Sequence, residues 1–135
     1  MPQKITSKSI DDNLKRRARE ISGQIAQQCF QCGTCTGSCP MIEHMNVTPR
    51  GLMALLQWGQ ADKVSQANTP WICASCHVCQ VRCPRGVELP KVMEALRQLK
   101  LRDNVNQIEP SNLQPEEIVD LPQIAMVSGF RKMTS

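Results

Sequence analysis

From Ser9 onward, apolar residues recur at helical spacing. Ile10, Leu14, Ala18 with Ile21, and Ile25 return every three or four positions, while Lys15, Arg16, Arg17 and Arg19 point elsewhere. Ser9 or Asp11 is placed to cap this helix. It is expected to run to just before Cys29 and to deliver that residue from its C-terminal end. Met41–Asn46 reads as a connector. Thr48-Pro49 then reads as an N-cap followed by a first helical residue. Gly51–Trp58 follows as a short helix with Leu52, Leu55 and Leu56 on its buried side, stopped by Gly59. Ala61–Gln66 adds another turn or two. Arg85-Gly86-Val87 makes a turn, and Leu89–Arg102 reads as a helix. Val92, Leu96 and Leu99 form its stripe, Met93 lies beside them, and Pro90 fits in its first turn.

Beyond Asp103 the pattern weakens. Glu109–Pro115 is a proline-broken linker, and Pro115-Glu116-Glu117 is suited to start a helical turn. Residues 122–130 are apolar, with Ile124, Met126, Val127 and Phe130 following Leu121, and have little chain around them for burial. They are read as an extended tail lying on a partner protein; return onto the chain's own domain is the plainer alternative. The expected organisation is a polar N-terminus at 1–8, one helical domain at 9–102, and a linker with a docking tail at 103–135.

Two stretches between these helices are one motif written twice. Cys29, Cys32, Cys35 and Cys39-Pro40 match Cys73, Cys76, Cys79 and Cys83-Pro84. Both read C-x-x-C-x-x-C-x-x-x-C-P, the known bacterial ligand run for a [4Fe–4S] cluster. Three closely spaced cysteines wrap a tight turn around one face of the cube. The fourth points away, and in two-cluster proteins it ligates the neighbouring cluster. The expected ligand sets are therefore Cys29, Cys32, Cys35 and Cys83 for one cluster, and Cys73, Cys76, Cys79 and Cys39 for the other. Pro40 and Pro84 redirect the chain after each run. Gly33, Thr34, Gly37, Ala74 and Ser75 are small enough for backbone amides to approach the inorganic sulfides.

Composition changes this picture in two ways. The 135 residues include no Tyr, two Phe and two Trp, so an ordinary core would rest on aliphatic residues and Met. Buried clusters would staple such a small domain. The formal charge of +4 counts every cysteine as neutral. Each oxidised cluster with its four thiolates carries roughly −2, which brings the loaded chain close to neutrality. Nucleic-acid binding is therefore not expected. The basic face of the first helix reads as solvated, with an acidic docking partner as the sharper alternative.

Other chemistry fits less well. Eight cysteines could form a disulfide framework. However, Met1-Pro-Gln-Lys-Ile has no apolar leader and no run is long enough to cross a bilayer. A cytoplasmic location is expected, where disulfides rarely persist. Zinc sites favour C-x-x-C pairs split by a longer loop. No βαβ pattern supports a thioredoxin-like dithiol, and no phosphate loop or hydrolase triad is evident. His44 is read as a linker histidine, and His77 as solvent-facing or bonded to backbone. A coupling of His77 to the reduction potential is the sharper alternative, and it requires a potential that varies with pH. Trp71 is expected to shield a cluster.

The flanking residues carry a narrower resemblance. Thr48-Pro49-Arg50, Trp71-Ile72-Cys73-Ala74-Ser75-Cys76, the stretch from Cys83 through Pro84-Arg85-Gly86-Val87-Glu88-Leu89 to Pro90, and Val92–Arg97 resemble the C subunits of heterodisulfide reductases. The resemblance covers about residues 10–102. It implies an α-helical ferredoxin with two cross-ligated [4Fe–4S] clusters and no catalytic residue of its own. It also implies electron transfer from a flavin- and iron–sulfur-containing A subunit to the disulfide-reducing B subunit. In methanogens the substrate is the coenzyme M–coenzyme B heterodisulfide, and a hydrogenase or formate dehydrogenase module is reached through the A subunit. The iron–sulfur component of a quinone-linked dehydrogenase would share the cysteine runs, and a zinc-stabilised interaction module is the non-redox alternative. Anaerobically isolated chain is expected to contain about eight iron and eight acid-labile sulfide atoms; colourless protein containing zinc would favour the last alternative.

Overall fold

Helices alone make up the regular structure of this computed structural model, which describes residues 10–103 and 112–133. In chain order they are α1 (Asp12–Ser22), α2 (Thr34–Gly37), α3 (Pro49–Gln57), α4 (Ala61–Gln66), α5 (Thr69–Ile72), α6 (Val78–Val81), α7 (Leu89–Leu101), α8 (Pro115–Asp120) and α9 (Gln123–Met133). Short 3₁₀ turns occupy Ala26–Gln28 and Ile42–His44. The chain divides into two compact units, Met1–Asp103 and Asn104–Ser135. The polar N-terminus, the Ser9 cap and the linker around Glu109 and Pro110 lie outside the described residues.

The first helix is shorter than its apolar pattern. Asp11 caps it, its Oδ1 accepting from the N–H of Asn13 at 2.8 Å and of Leu14 at 3.3 Å. Gly23, at φ +68°, then ends it, donating its N–H to the Arg19 carbonyl at 2.8 Å. Ile25 therefore lies off the helix, and a 3₁₀ turn delivers Cys29 in place of the expected helix end. The left-handed glycine is the physical cause, because it satisfies a terminal carbonyl and turns the chain. Ala18 is buried and Leu14 and Ile21 pack on the core, but Ile10 is largely exposed.

Helix α3 begins as expected, with Thr48 Oγ1 accepting from the Gly51 N–H at 3.1 Å and Pro49 in the first turn. It buries Leu52, Met53, Leu55 and Leu56. Helix α7 buries Leu89, Val92, Met93, Leu96 and Leu99, with Pro90 in its first turn. Val64 of α4 and Ala67 complete a core in which α1 packs on α7 and α3 packs on α4. Burying an aliphatic side chain removes it from water at about 25 cal/mol per Å², so these two helices anchor the domain.

The packing repeats. The 3₁₀ turn before Cys29 rests on α3, and α5 before Cys73 rests on α7. Helix α2 inside the first cysteine run packs on α3, and α6 inside the second packs on α7. The two short helices also meet each other. The connector between the runs is tied by a reciprocal pair: the Asn46 N–H donates to Asn68 Oδ1 at 2.9 Å, and the Asn68 N–H donates to Asn46 Oδ1 at 3.0 Å. Thr69, fully buried, donates its hydroxyl to the Val47 carbonyl.

In the second unit, Glu117 Oε2 accepts from the Gln114 N–H at 3.0 Å at the start of α8. The apolar segment read as an extended tail is a helix, α9, on which Ile124, Val127 and Phe130 follow each other at three-residue spacing and stay exposed.

Gly59 closes α3 at φ +65°, and its carbonyl accepts from the Asp11 N–H at 2.8 Å. A Cβ here would lie 3.1 Å from both the N and the O of Asp11. Gly59→Ala combines left-handed strain with this backbone clash and should cost about 1–3 kcal/mol. A lowered thermal midpoint by circular dichroism is expected, whereas Gly37→Ala, with nothing within 4 Å of the added carbon, should melt close to the parent chain.

Candidate metal centre

Each cysteine run is bent by the same backbone device. Gln31 and Gly33 have φ of +63° and +85° in the first run, and Ser75 and His77 have φ of +51° and +61° in the second. These are the third and fifth positions of both motifs. Two left-handed residues so close together curl the chain and turn successive amides toward a concave face, a geometry that receives anions. Glycine meets this need at one of the four positions. At His77 the strain is retained, and its Nδ1 is 2.7 Å from Gln80 Oε1.

The curl brings the cysteines around two cavities. One is lined by Cys29, Cys32, Cys35, Cys79 and Cys83, with Arg50, Met53 and Val87. The other is lined by Cys39, Cys73, Cys76, Cys79 and Cys35, with Met41, Met45 and Met93. Cys35, Cys79 and Leu89 border both, so the cavities share a wall. They enclose about 380 and 410 Å³, open solvent included. All eight cysteines are free thiols; Cys32 and Cys76 are exposed and the other six half-buried.

This donor set, five cysteines around each cavity, fits a multi-iron cluster. Among the described residues no three Cys, His, Asp or Glu side chains converge closely enough to hold one metal ion. The sulfurs stand around a void, as a multi-iron cube requires and a tetrahedral zinc site does not. Donors to sulfur are also in place, with the Val87 N–H 3.3 Å from Cys83 Sγ and Thr34 Oγ1 3.3 Å from Cys32 Sγ.

Thiol acidity follows position. Burial pushes the Cys79 thiol up to about 11, and the neighbouring Cys73, Cys35 and Cys76 add to the effect. Burial, followed by Cys29, also raises Cys35. The Thr34 hydroxyl lowers Cys32, at the surface. Cys35 and Cys79 thus resist ionisation in the iron-free chain, and Cys32 ionises more readily than either.

Two positioning side chains were not legible in the motif. Gln57 Nε2, on α3, donates to the carbonyls of Ala26 at 2.8 Å and Cys29 at 2.7 Å. Arg97 Nη1, on α7, donates to the carbonyls of Pro70 at 3.0 Å and Cys73 at 3.4 Å. The only signal for them is that each follows its own run on the next long helix. Trp71 lines neither cysteine cavity. It faces a 660 Å³ cleft, open solvent included, beside Leu14, Leu96 and Leu99. His77 borders the second cavity, its ring bonded to the Gln80 side chain in place of backbone, and His44 lines neither cavity.

Comparison with known proteins agrees with this chemistry. Residues 28–88 match the 4Fe–4S dicluster domain family, and the class of the site is that of a protein holding two [4Fe–4S] clusters. The chain is 44% identical over 73 residues to the iron–sulfur C subunit of the CoB–CoM heterodisulfide reductase of Methanopyrus kandleri, which covers 54% of this chain and 38% of that protein. It is 35% identical over 89 residues to the C subunit of the H₂:CoB–CoM heterodisulfide, ferredoxin reductase of Methanothermobacter marburgensis, covering 66% of this chain and 48% of the relative. It is 34% identical over 100 residues to the C subunit of the ferredoxin:CoB–CoM heterodisulfide reductase of Methanosarcina mazei, covering 74% and 60%. The chain is thus similar to heterodisulfide reductase C subunits over these stretches, and it spans about half the length of the relatives it matches. No helix among the described residues is long and apolar enough to cross a membrane.

Because the thiolate is the reactive form, limited alkylation of the iron-free chain at neutral pH should label Cys32 early and Cys79 last, as read by peptide mass spectrometry. Raising the pH through 9 toward 11 should narrow the gap as Cys79 ionises. Thr34→Val should slow the labelling of Cys32.

Proposed function

We propose that this chain is the electron-transfer component of a cytoplasmic heterodisulfide reductase-type complex. It would pass electrons from a flavin- and iron–sulfur-bearing A subunit to a disulfide-reducing B subunit, with a hydrogenase or formate dehydrogenase module reached through the former. The observation that carries this reading is the pair of cysteine-lined cavities with a common wall, each with one cysteine at the surface. The C-subunit relatives support the partners.

The proposed ligands are Cys29, Cys32, Cys35 and Cys83 for one cluster, and Cys73, Cys76, Cys79 and Cys39 for the other. Support comes from the cavity linings, in which Cys83 accompanies the first run and Cys39 the second. A bound [4Fe–4S] cluster supplies a one-electron carrier. The residues of this chain hold it and set its surroundings. Gln57 and Arg97 fix the loop of each first cysteine, and Met53, Met93 and Leu89 keep water from the inner side. With all eight cysteines serving as ligands, no thiol remains for bond-making chemistry at these cavities, and the disulfide would be reduced elsewhere in the complex. Within the second unit, the exposed face of Ile124, Val127 and Phe130 on α9 is proposed to dock on a partner protein.

Capture of the tagged chain from its native cytoplasm under anaerobic conditions should bring down a flavoprotein and a second iron–sulfur protein that together reduce a disulfide. Recovery as a free monomer would overturn the assignment. In the same preparation, Cys83→Ala should damage the first-run cluster and leave the second-run electron paramagnetic resonance signal. Loss of only the second-run signal would refute the ligand sets.

A further inference from the structure

The carbonyls held by Gln57 and Arg97 are related by the internal repeat, while the two clamping residues themselves stand 40 positions apart on their helices. Ala26 and Cys29 lie 44 positions before Pro70 and Cys73. In each half the helix that follows the cysteine run sends one side chain back to the same two carbonyls. The two clamps differ in charge. Gln57 is neutral and Arg97 a permanent cation.

The surroundings make that difference matter. The first-run cavity has Arg50 in its lining, with the Arg50 Cδ 3.6 Å from a Cβ built on Gly33. Arg85 Nε donates to the Gln28 carbonyl next to Cys29 at 3.2 Å. Among the described residues, the lining of the second-run cavity contains no arginine or lysine, and its one basic side chain is His77. Arg97 brings a guanidinium to the loop of this half. It is turned inward, with 20% side-chain exposure against 50% for Glu94. Glu94 Oε2 accepts from Arg97 Nε at 2.9 Å and Nη2 at 2.6 Å, and the Arg97 hydrogen bonds hold its carboxyl below the usual range. The pair is therefore a dipole with its positive end against the Cys73 loop and its negative end toward solvent.

We infer that Gln57 and Arg97 are matched positioning residues for the first ligand of each run, and that the Arg97 charge raises the reduction potential of the second-run cluster above the value a neutral clamp would give. A cation close to the thiolates favours the reduced, more negative state of the cluster, and a low local dielectric strengthens the effect. Arg97 brings to the second half a cation such as Arg50 and Arg85 bring to the first. The inference rests on the two-cluster reading above.

The test is a redox titration of the anaerobically purified full chain, with dithionite as reductant and electron paramagnetic resonance as readout. Arg97→Gln copies the clamp of the other half. It should keep the iron and sulfide content of the parent and move one of the two midpoints to more negative potential, leaving the other in place. Arg97→Lys retains the charge and should restore that midpoint. Glu94→Gln removes the counter-charge without touching the loop, and should move the same midpoint to more positive potential. Midpoints unmoved in both Arg97→Gln and Glu94→Gln would overturn the inference, as would equal shifts of both clusters. Should Arg97→Gln lose iron, the Glu94→Gln titration decides alone. Parent chain with about four irons and a single midpoint would instead defeat the two-cluster reading.

Discussion

Everything in the first unit depends on bending two cysteine-rich loops back on themselves against unfavourable backbone geometry. Left-handed φ at Gln31, Ser75 and His77 works against the Cβ of each residue. That strain persists because the loops are held from both ends. On one side α3 and α7 bury their aliphatic stripes in a common core. On the other, α2 and α6 pack on these helices and on each other. Iron–sulfur bonds are the remaining restraint, and small domains that bind metal draw folding energy from it. The scaffold thus fixes where eight sulfurs stand, and the reward for holding them there is metal ligation.

Much of this was legible in the sequence because it rests on local chemistry. The doubled cysteine run, the Thr48-Pro49 start of α3 and the stripe of Val92, Leu96 and Leu99 are short-range signals, and each appears where expected. The end of α1 was not, because the apolar spacing continues through Ile25 while Gly23 breaks the helix. Periodicity cannot see a glycine whose left-handed geometry overrides it. The helices α2 and α6 have four residues each, too few for any period. Trp71 lies two positions before Cys73 in the chain, yet the turn of α5 aims it at the cleft beside Leu96 and Leu99. The Gln57 and Arg97 contacts span 24 to 31 residues and join different residue types, so no local pattern announces them.

The two halves repeat in backbone but not in lining. The first cavity meets Arg50 and Thr34, and the second meets Met41, Met45 and Met93. The second cavity thus meets more thioethers and prolines and the first an arginine, on linings that are otherwise apolar in both. Burial, hydrogen bonds and nearby charge are the levers by which a protein sets a cluster's potential. A duplicated ligand motif therefore does not imply duplicated redox properties, and divergence of the lining around a repeated backbone is how one fold obtains two different carriers.

The exposure of Cys32 and Cys76 has a second side. A sulfur at the surface shortens the path for an electron to leave, and it equally admits dioxygen and peroxide to the same corner. Thiolate character and access decide where oxidation starts. The two exposed cysteines are thus two points of chemical vulnerability, and a partner seated over them would act as armour as well as conductor.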